Sequence, residues 1–148
     1  MPATAFPHEG EIMTHSTSIK VRGYHLDLYS HVNNARYLEF LEEARWTFFE
    51  ECADLPAFLS SGIALIVVNI NIDYRYPATM NDQLVIETAV KSVGNRSAVI
   101  HQCVKLAGSD TVVAEADVTF VAFDGKQNKA VAIEGKLREL LTGLQHQA

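Results

Sequence analysis

The sequence predicts an α+β fold: one long central helix wrapped by a curved antiparallel sheet of about five strands, with a short helix at the C-terminus. Three observations carry this. Residues 35–52 show apolar side chains at helical spacing. Four strand-like segments follow in succession after residue 62, separated by turn signals. A single strand-like segment precedes the helix. Strands and helices do not alternate, so a parallel βαβ sheet is excluded, and the economical packing lays one antiparallel sheet on the helix.

In order, Ser16–Leu26 alternates imperfectly, with Ile19 and Val21 on one side and Lys20 and Arg22 on the other, as in a half-buried strand. Asp27–Asn34 is polar and without period, and Asn33 and Asn34 are good helix N-caps. From Ala35 to Cys52, Tyr37, Leu41, Ala44, Phe48 and Cys52 recur every three or four residues with Phe40 beside them, which gives the long helix one apolar stripe. Asp54–Gly62 reads as a turn. Ile63–Tyr76 begins as a continuous apolar run and then alternates, so this strand is expected to be buried on both faces at one end and on one face at the other; Pro77 ends it. Leu84–Val93 and Ser97–Leu106 are joined by Gly94-Asn95, a tight-hairpin signal. Gly108-Ser109-Asp110 leads into Val112–Phe123, and Asp124-Gly125-Lys126 makes the next turn. Ile133, Leu137, Leu140, Leu141 and Leu144 then mark the short amphipathic helix, with Gly135 and Gly143 interrupting it. The sheet edges need partners, and edge-to-edge dimerisation is a natural solution.

The 148 residues suit a single domain, placed at 16–148, with residues 1–15 expected to form a disordered extension rich in Pro and polar residues. A net charge of −6 and the lack of a basic cluster argue against nucleic acid and anionic membrane surfaces as partners. The longest apolar run, Ile63–Val68, is far too short for a membrane-spanning helix, so membrane insertion is not expected. Cys52 and Cys103 lie far apart, form no metal or redox motif, and suit two reduced thiols in a cytoplasmic protein.

The chemistry concentrates between the first strand and the long helix. Asp27 is an acid in a polar turn immediately ahead of a helix N-terminus, where free N–H groups and the positive end of the helix dipole gather. A carboxylate can activate water or attack a carbonyl, and the amides can receive the negative charge that develops. Asp27 is equally readable as a turn acid that bonds nearby amides. His25, Asp27 and His31 do not share a helix face and lack a completing ligand, so a metal site is not expected.

Asp27 followed by His31-Val32-Asn33-Asn34, Tyr37, Phe40 and Glu42-Glu43-Ala44-Arg45 resembles the signature of the hotdog-fold acyl-CoA thioesterases of the 4-hydroxybenzoyl-CoA thioesterase class. The fuller string Val21–Trp46, with Val67-Val68-Asn69-Ile70-Asn71-Ile72, is similar to the bacterial long-chain branch linked to fatty-acid β-oxidation. The resemblance implies a hotdog fold, a homodimer or homotetramer with sites at the dimer interface, and no metal or cofactor beyond the CoA of an acyl-CoA substrate. It places the catalytic acid at Asp27 and the oxyanion donor at the backbone amide of Asn34. His31 is a further candidate for polarising the thioester. Tyr24, Asn33, Tyr37, Phe40 and Leu41 are candidates for lining the substrate site, although capping accounts for Asn33 and core packing accounts equally well for the apolar ones. Arg75, Lys91 and Arg96 are candidate contacts for the CoA phosphates. A non-catalytic acyl-CoA-binding module and a thioesterase for aromatic or short acyl groups are the competing expectations. The dehydratases of the same fold are disfavoured, because their Pro/Gly-rich His loop is absent.

Overall fold

The structure is a computed structural model that describes residues 14–145. Six strands form one antiparallel sheet: β1 (His15–Lys20), β2 (Ile63–Tyr74), β3 (Gln83–Val93), β4 (Ser97–Leu106), β5 (Val112–Asp124) and β6 (Lys129–Val131). The strand order is β1-β3-β4-β5-β2, with β6 also paired to β5. Helix α1 (Asn34–Cys52) lies across the concave face, and α3 (Gly135–Gln145) packs against β3. The first strand starts at His15, which pairs with Thr88. Residues 1–13 of the expected extension lie outside the described residues.

Two elements go beyond the sequence reading. The expected turn at 54–62 contains a short helix, α2 (Leu55–Ser60): Asp54 caps it by accepting from the Ala57 N–H at 3.2 Å, and Pro56 sits in its first turn. Three residues after the Asp124 turn form β6, because β4 begins at Ser97, opposite Val121, and leaves that side of Ala122–Asp124 open.

The alternation within the three central strands sorts their side chains. Leu84, Ile86, Thr88 and Val90 of β3 point inward, as do Ala98, Ile100, Gln102 and Val104 of β4. Ala114, Ala116, Val118, Phe120 and Ala122 do so from β5. Ala44 of α1 and Ala114 and Ala116 of β5 share one buried apolar cluster. The strand β2 departs from expectation. None of its residues is buried, and Ile66, Val67 and Val68 are exposed, Val68 at 57%. The reason is its place: β2 pairs only with β5 and forms an edge, so Ile63 and Leu65 pack only partly against the core and Ile66–Val68 are left exposed. A bulge between Val67 and Asn69 shifts the register and bends this edge.

A polar pair interrupts the core. Gln102 and Thr88 sit directly opposite one another, both fully buried, and divide two apolar clusters. One contains Tyr37, Phe40, Leu41, Ile86 and Val104. The other contains Phe48, Val90, Ile100, Phe120 and Leu141. The Gln102 amide donates to the Leu41 carbonyl of α1 at 3.0 Å and to the Thr88 hydroxyl at 3.1 Å. Its oxygen accepts from the Arg45 guanidinium at 3.1 Å. Burial lowers the Arg45 pKa, and Glu42 opposes that shift. Gln102→Leu is expected to strand Thr88 and Arg45 without a partner and to cost about 2 kcal/mol in urea unfolding. Adding Thr88→Val should restore part of the loss; an unchanged midpoint in the single variant would show that these bonds contribute nothing.

Candidate active site

The chain between β1 and α1 is held at several points, and they place its polar groups. Val21 is fully buried and exchanges backbone bonds with the 79–82 turn: its N–H donates to Asp82 and its carbonyl accepts from Asn81, both at 2.9 Å. Gly23–His25 makes a single 3₁₀ turn. A bridge between Leu26 and Val32 then closes the loop, reinforced by the Asp27 N–H donating to the His31 carbonyl at 2.8 Å. Val32 is anchored in turn by donating to the Ala78 carbonyl at 2.9 Å. Leu28 and Tyr29, at 90% and 75% exposure, project from the closed loop beside Asp27.

One Asp27 oxygen, Oδ1, accepts from the Tyr29 N–H at 2.9 Å. This is the turn-acid arrangement open to a residue at this position. Among the described residues, Oδ2 has no protein partner. The bond therefore fixes the carboxylate while leaving one oxygen for a reacting group.

Helix α1 begins immediately beyond. Asn33 is its N-cap, with its side chain accepting from the Ala35 N–H at 2.9 Å and its carbonyl accepting from Arg36 at 2.8 Å. These two bonds leave the Asn34 N–H without a partner among the described residues. The Asn34 carbonyl accepts from the Tyr74 hydroxyl of β2 at 3.2 Å, which ties the helix start to the sheet edge. A free amide at the positive end of a helix is a ready acceptor of negative charge.

His25 joins the two halves of this segment. Its carbonyl accepts from the Asn33 N–H at 2.9 Å, and its ring Nδ1 accepts from the Arg22 N–H at 2.8 Å. The ring is buried, edge-on to Phe40 at 4.9 Å and tilted against Tyr24 at 4.2 Å. Accepting at Nδ1 requires the neutral ring with its proton on Nε2. Burial lowers the His25 pKa; Arg36 and Arg22 push the same way, and Glu39 opposes them.

The other candidates divide by location. Tyr24 is exposed, with the Arg36 guanidinium 5.9 Å from its ring centre. His31 is exposed, and only its carbonyl takes part in the loop. Tyr37, Phe40 and Leu41 lie in the core, and burial raises the Tyr37 pKa. The open apolar space flanks another side of α1: a cavity of about 450 Å³ lined by Trp46, Phe49, Phe58, Leu59, Leu65 and Val67, among others. On the outer sheet face Arg75 pairs with Asp73 at 3.7 Å and Glu115 at 3.6 Å, and Lys91 pairs with Asp117 at 2.8 Å. His101 lies between Glu115 and Asp117 at 3.1 and 2.8 Å. Desolvation works to raise the Asp117 pKa, but hydrogen bonds from Lys91 and His101 outweigh it and hold it low. Arg96, in the β3–β4 turn, has no acidic partner among the described residues. Nor do any three His, Cys, Asp or Glu side chains among them converge as metal ligands.

Sequence reasoning weighed His25 only as a metal ligand, and missed Gln102 and the cavity. Gln102 had a signal, since it stands at an inward position of β4 where its neighbours Ile100 and Val104 are apolar. The pattern gives no hint of the cavity, which arises where α2, itself unforeseen, meets α1 and β2.

This loop and helix start, set on a long helix wrapped by an antiparallel sheet, define a hotdog α+β protein of the thioesterase kind. The chain belongs to the thioesterase-like superfamily, which it matches over residues 21–141. It is 51% identical over 125 residues to the long-chain acyl-CoA thioesterase FadM of Escherichia coli K12, covering 84% of this chain and 95% of that one. Among solved structures it is similar to YbaW, a probable thioesterase from Escherichia coli, with 49% identity and a TM-score of 0.83, covering 88% of this chain and 98% of that one. A 1,4-dihydroxy-2-naphthoyl-CoA thioesterase from Synechocystis, 20% identical, shares the fold at a TM-score of 0.76 over 88% of this chain and 97% of its own.

Because the folded pKa of His25 lies below its ordinary value of 6.5, the fold favours the neutral ring. Its contribution to stability is full above 6.5 and is lost as pH falls through the lowered folded value. The melting temperature should therefore fall as the pH drops below the ordinary histidine value of about 6.5, and His25→Gln should flatten part of that slope. Identical slopes in the two proteins would contradict it.

Proposed function

We propose that this chain hydrolyses long-chain fatty acyl-CoA thioesters to free acid and CoA. The observation that carries the reading is the pairing, on one hydrogen-bonded segment, of the Asp27 carboxylate with an unpartnered Asn34 N–H at the helix start. The relative named as a long-chain acyl-CoA thioesterase supports the substrate class.

In this reading the thioester oxygen accepts from the Asn34 N–H, which stabilises the oxyanion by a few kcal/mol relative to water. Asp27 removes a proton from water as it adds to the carbonyl, or adds directly to give an anhydride that water then opens. Collapse of the adduct breaks the carbon–sulfur bond and releases CoA as thiol. Protein groups and water suffice, so the reaction asks for no cofactor or metal. His31 is available on the same loop to orient the thioester or the water, and Tyr24 and Asn33 belong to the same segment as substrate-lining candidates. For the phosphates of CoA, Arg96 is the cation of the three candidates free of acids, whereas Arg75 and Lys91 would have to exchange carboxylates for phosphate.

The chain acts as a dimer in this reading, joined along β2. The apolar edge at Ile66–Val68 and the exposed Leu28 and Tyr29 supply the surface such an interface needs. Two unpaired thiols, Cys52 and Cys103, both with pKa values raised by burial, suit a reducing cytoplasm.

Asp27→Asn should lower kcat for palmitoyl-CoA by about a hundredfold or more with little change in KM, read by thiol release. Unchanged turnover would remove Asp27 from the mechanism, and a panel that includes short and aromatic acyl-CoAs separates the substrate classes. Val68→Lys should shift the dimer to monomer in light scattering; a dimer that persists would place the interface elsewhere.

A further inference from the structure

We propose that the cavity between α1, α2 and β2 is the binding site for the distal half of the acyl chain, and that Trp46 and Leu59 set the chain length accepted. The inference rests on the thioesterase reading, and it adds which part of the molecule measures the substrate.

Helix α1 serves as the ruler. The carbonyl is held at its start by the Asn34 amide. The cavity is lined along α1 from Glu42 to Phe49, eight to fifteen residues further on. At 1.5 Å per residue that is about 12 to 22 Å from the amide. An extended acyl chain advances roughly 1.3 Å per carbon. A chain of eight carbons following the helix stops short of the cavity, whereas one of sixteen ends near Phe49.

The lining suits such an occupant. Glu42 and Arg45 stand at the end nearer the helix start, and Arg45 is turned toward Gln102. Beyond them come Trp46 and Phe49 from α1, Phe58 and Leu59 from α2, and Leu65 and Val67 from β2. A volume of about 450 Å³ has room for the end of one alkyl chain. Trp46 and Leu59 are 46% and 59% exposed while lining this space, so apolar surface is left uncovered for a ligand to bury. Each methylene buried there is worth a factor of about four in affinity.

The test replaces Trp46 and Leu59 singly by Glu. Both side chains are exposed, so the fold should tolerate the change, and an unaltered melting temperature would verify this. With Trp46→Glu or Leu59→Glu, kcat/KM for palmitoyl-CoA should fall tenfold or more through KM, while octanoyl-CoA stays within twofold. Equal losses for the two substrates, or no loss in either, would overturn the assignment. Binding of the fluorescent 18-carbon cis-parinaric acid reads the cavity without turnover: wild type should bind it, palmitate but not octanoate should displace it, and both variants should weaken it. If wild type binds the fatty acid in this way yet hydrolyses no acyl-CoA, the thioesterase reading fails and the cavity assignment stands. If wild type hydrolyses both substrates and neither variant changes their ratio, the cavity assignment alone fails.

Discussion

The position of α1 on the sheet depends on Gln102. Apolar packing alone leaves a helix some freedom to slide along a sheet, because methyl groups are interchangeable neighbours. Gln102 removes that freedom by bonding a named carbonyl, that of Leu41, and a named side chain, that of Arg45. Thr88 completes the set from the neighbouring strand. A buried amide left unpaired costs more than a methyl contact gains, so other registers of the helix are penalised. The polar row therefore acts as a locating pin between two apolar clusters that supply most of the cohesion.

Whatever locates the helix also locates its first amide. The carbonyl of Asn34 is bonded by Tyr74, the cap residue Asn33 by the His25 carbonyl, and Val32 by Ala78. The Asp27 loop grows from that same anchored base. The carboxylate and the free N–H thus belong to one framework fixed at both ends to the sheet. Preorganisation of this kind is what stabilisation of an oxyanion requires, since the donors must already point at the charge before it forms.

Much of this was legible in the sequence, for identifiable reasons. The long helix, the Gly94-Asn95 hairpin and the four strands after residue 62 each carry a strong local period or turn signal, whereas the imperfect alternation of 16–26 marked the first strand but not its end at Lys20. Asp27 and the cap at Asn33 stand out because polar residues ahead of an amphipathic run have few other uses. The short elements α2 and β6 escaped because six and three residues give no period to count. The solvent-facing β2 escaped for another reason: an apolar strand reads as buried, and its sequence does not say whether cover comes from its own chain or from another. Tyr37, Phe40 and Leu41 looked equally like core and like site, and their environment, not their chemistry, separates the two. Arg75 and Lys91 could be read as phosphate contacts because Glu115 and Asp117, which pair with them from β5, lie some 26 to 40 residues away.

The strand order β1-β3-β4-β5-β2 also governs how the chain is made. On the ribosome β1, α1, α2 and β2 all emerge before any strand that pairs with them. The first pairing open to the nascent chain joins β1 to β3 and encloses the whole of α1, α2 and β2 in its loop. The strand β2 waits longer still, for β5, which ends at Asp124. The apolar segment Ile63–Val68 is therefore bare on both edges until β5 has emerged, and a chain truncated before Val112 never pairs it. Closure of this loop is the slow, long-range kind of event that exposes a nascent chain to aggregation and to chaperone capture.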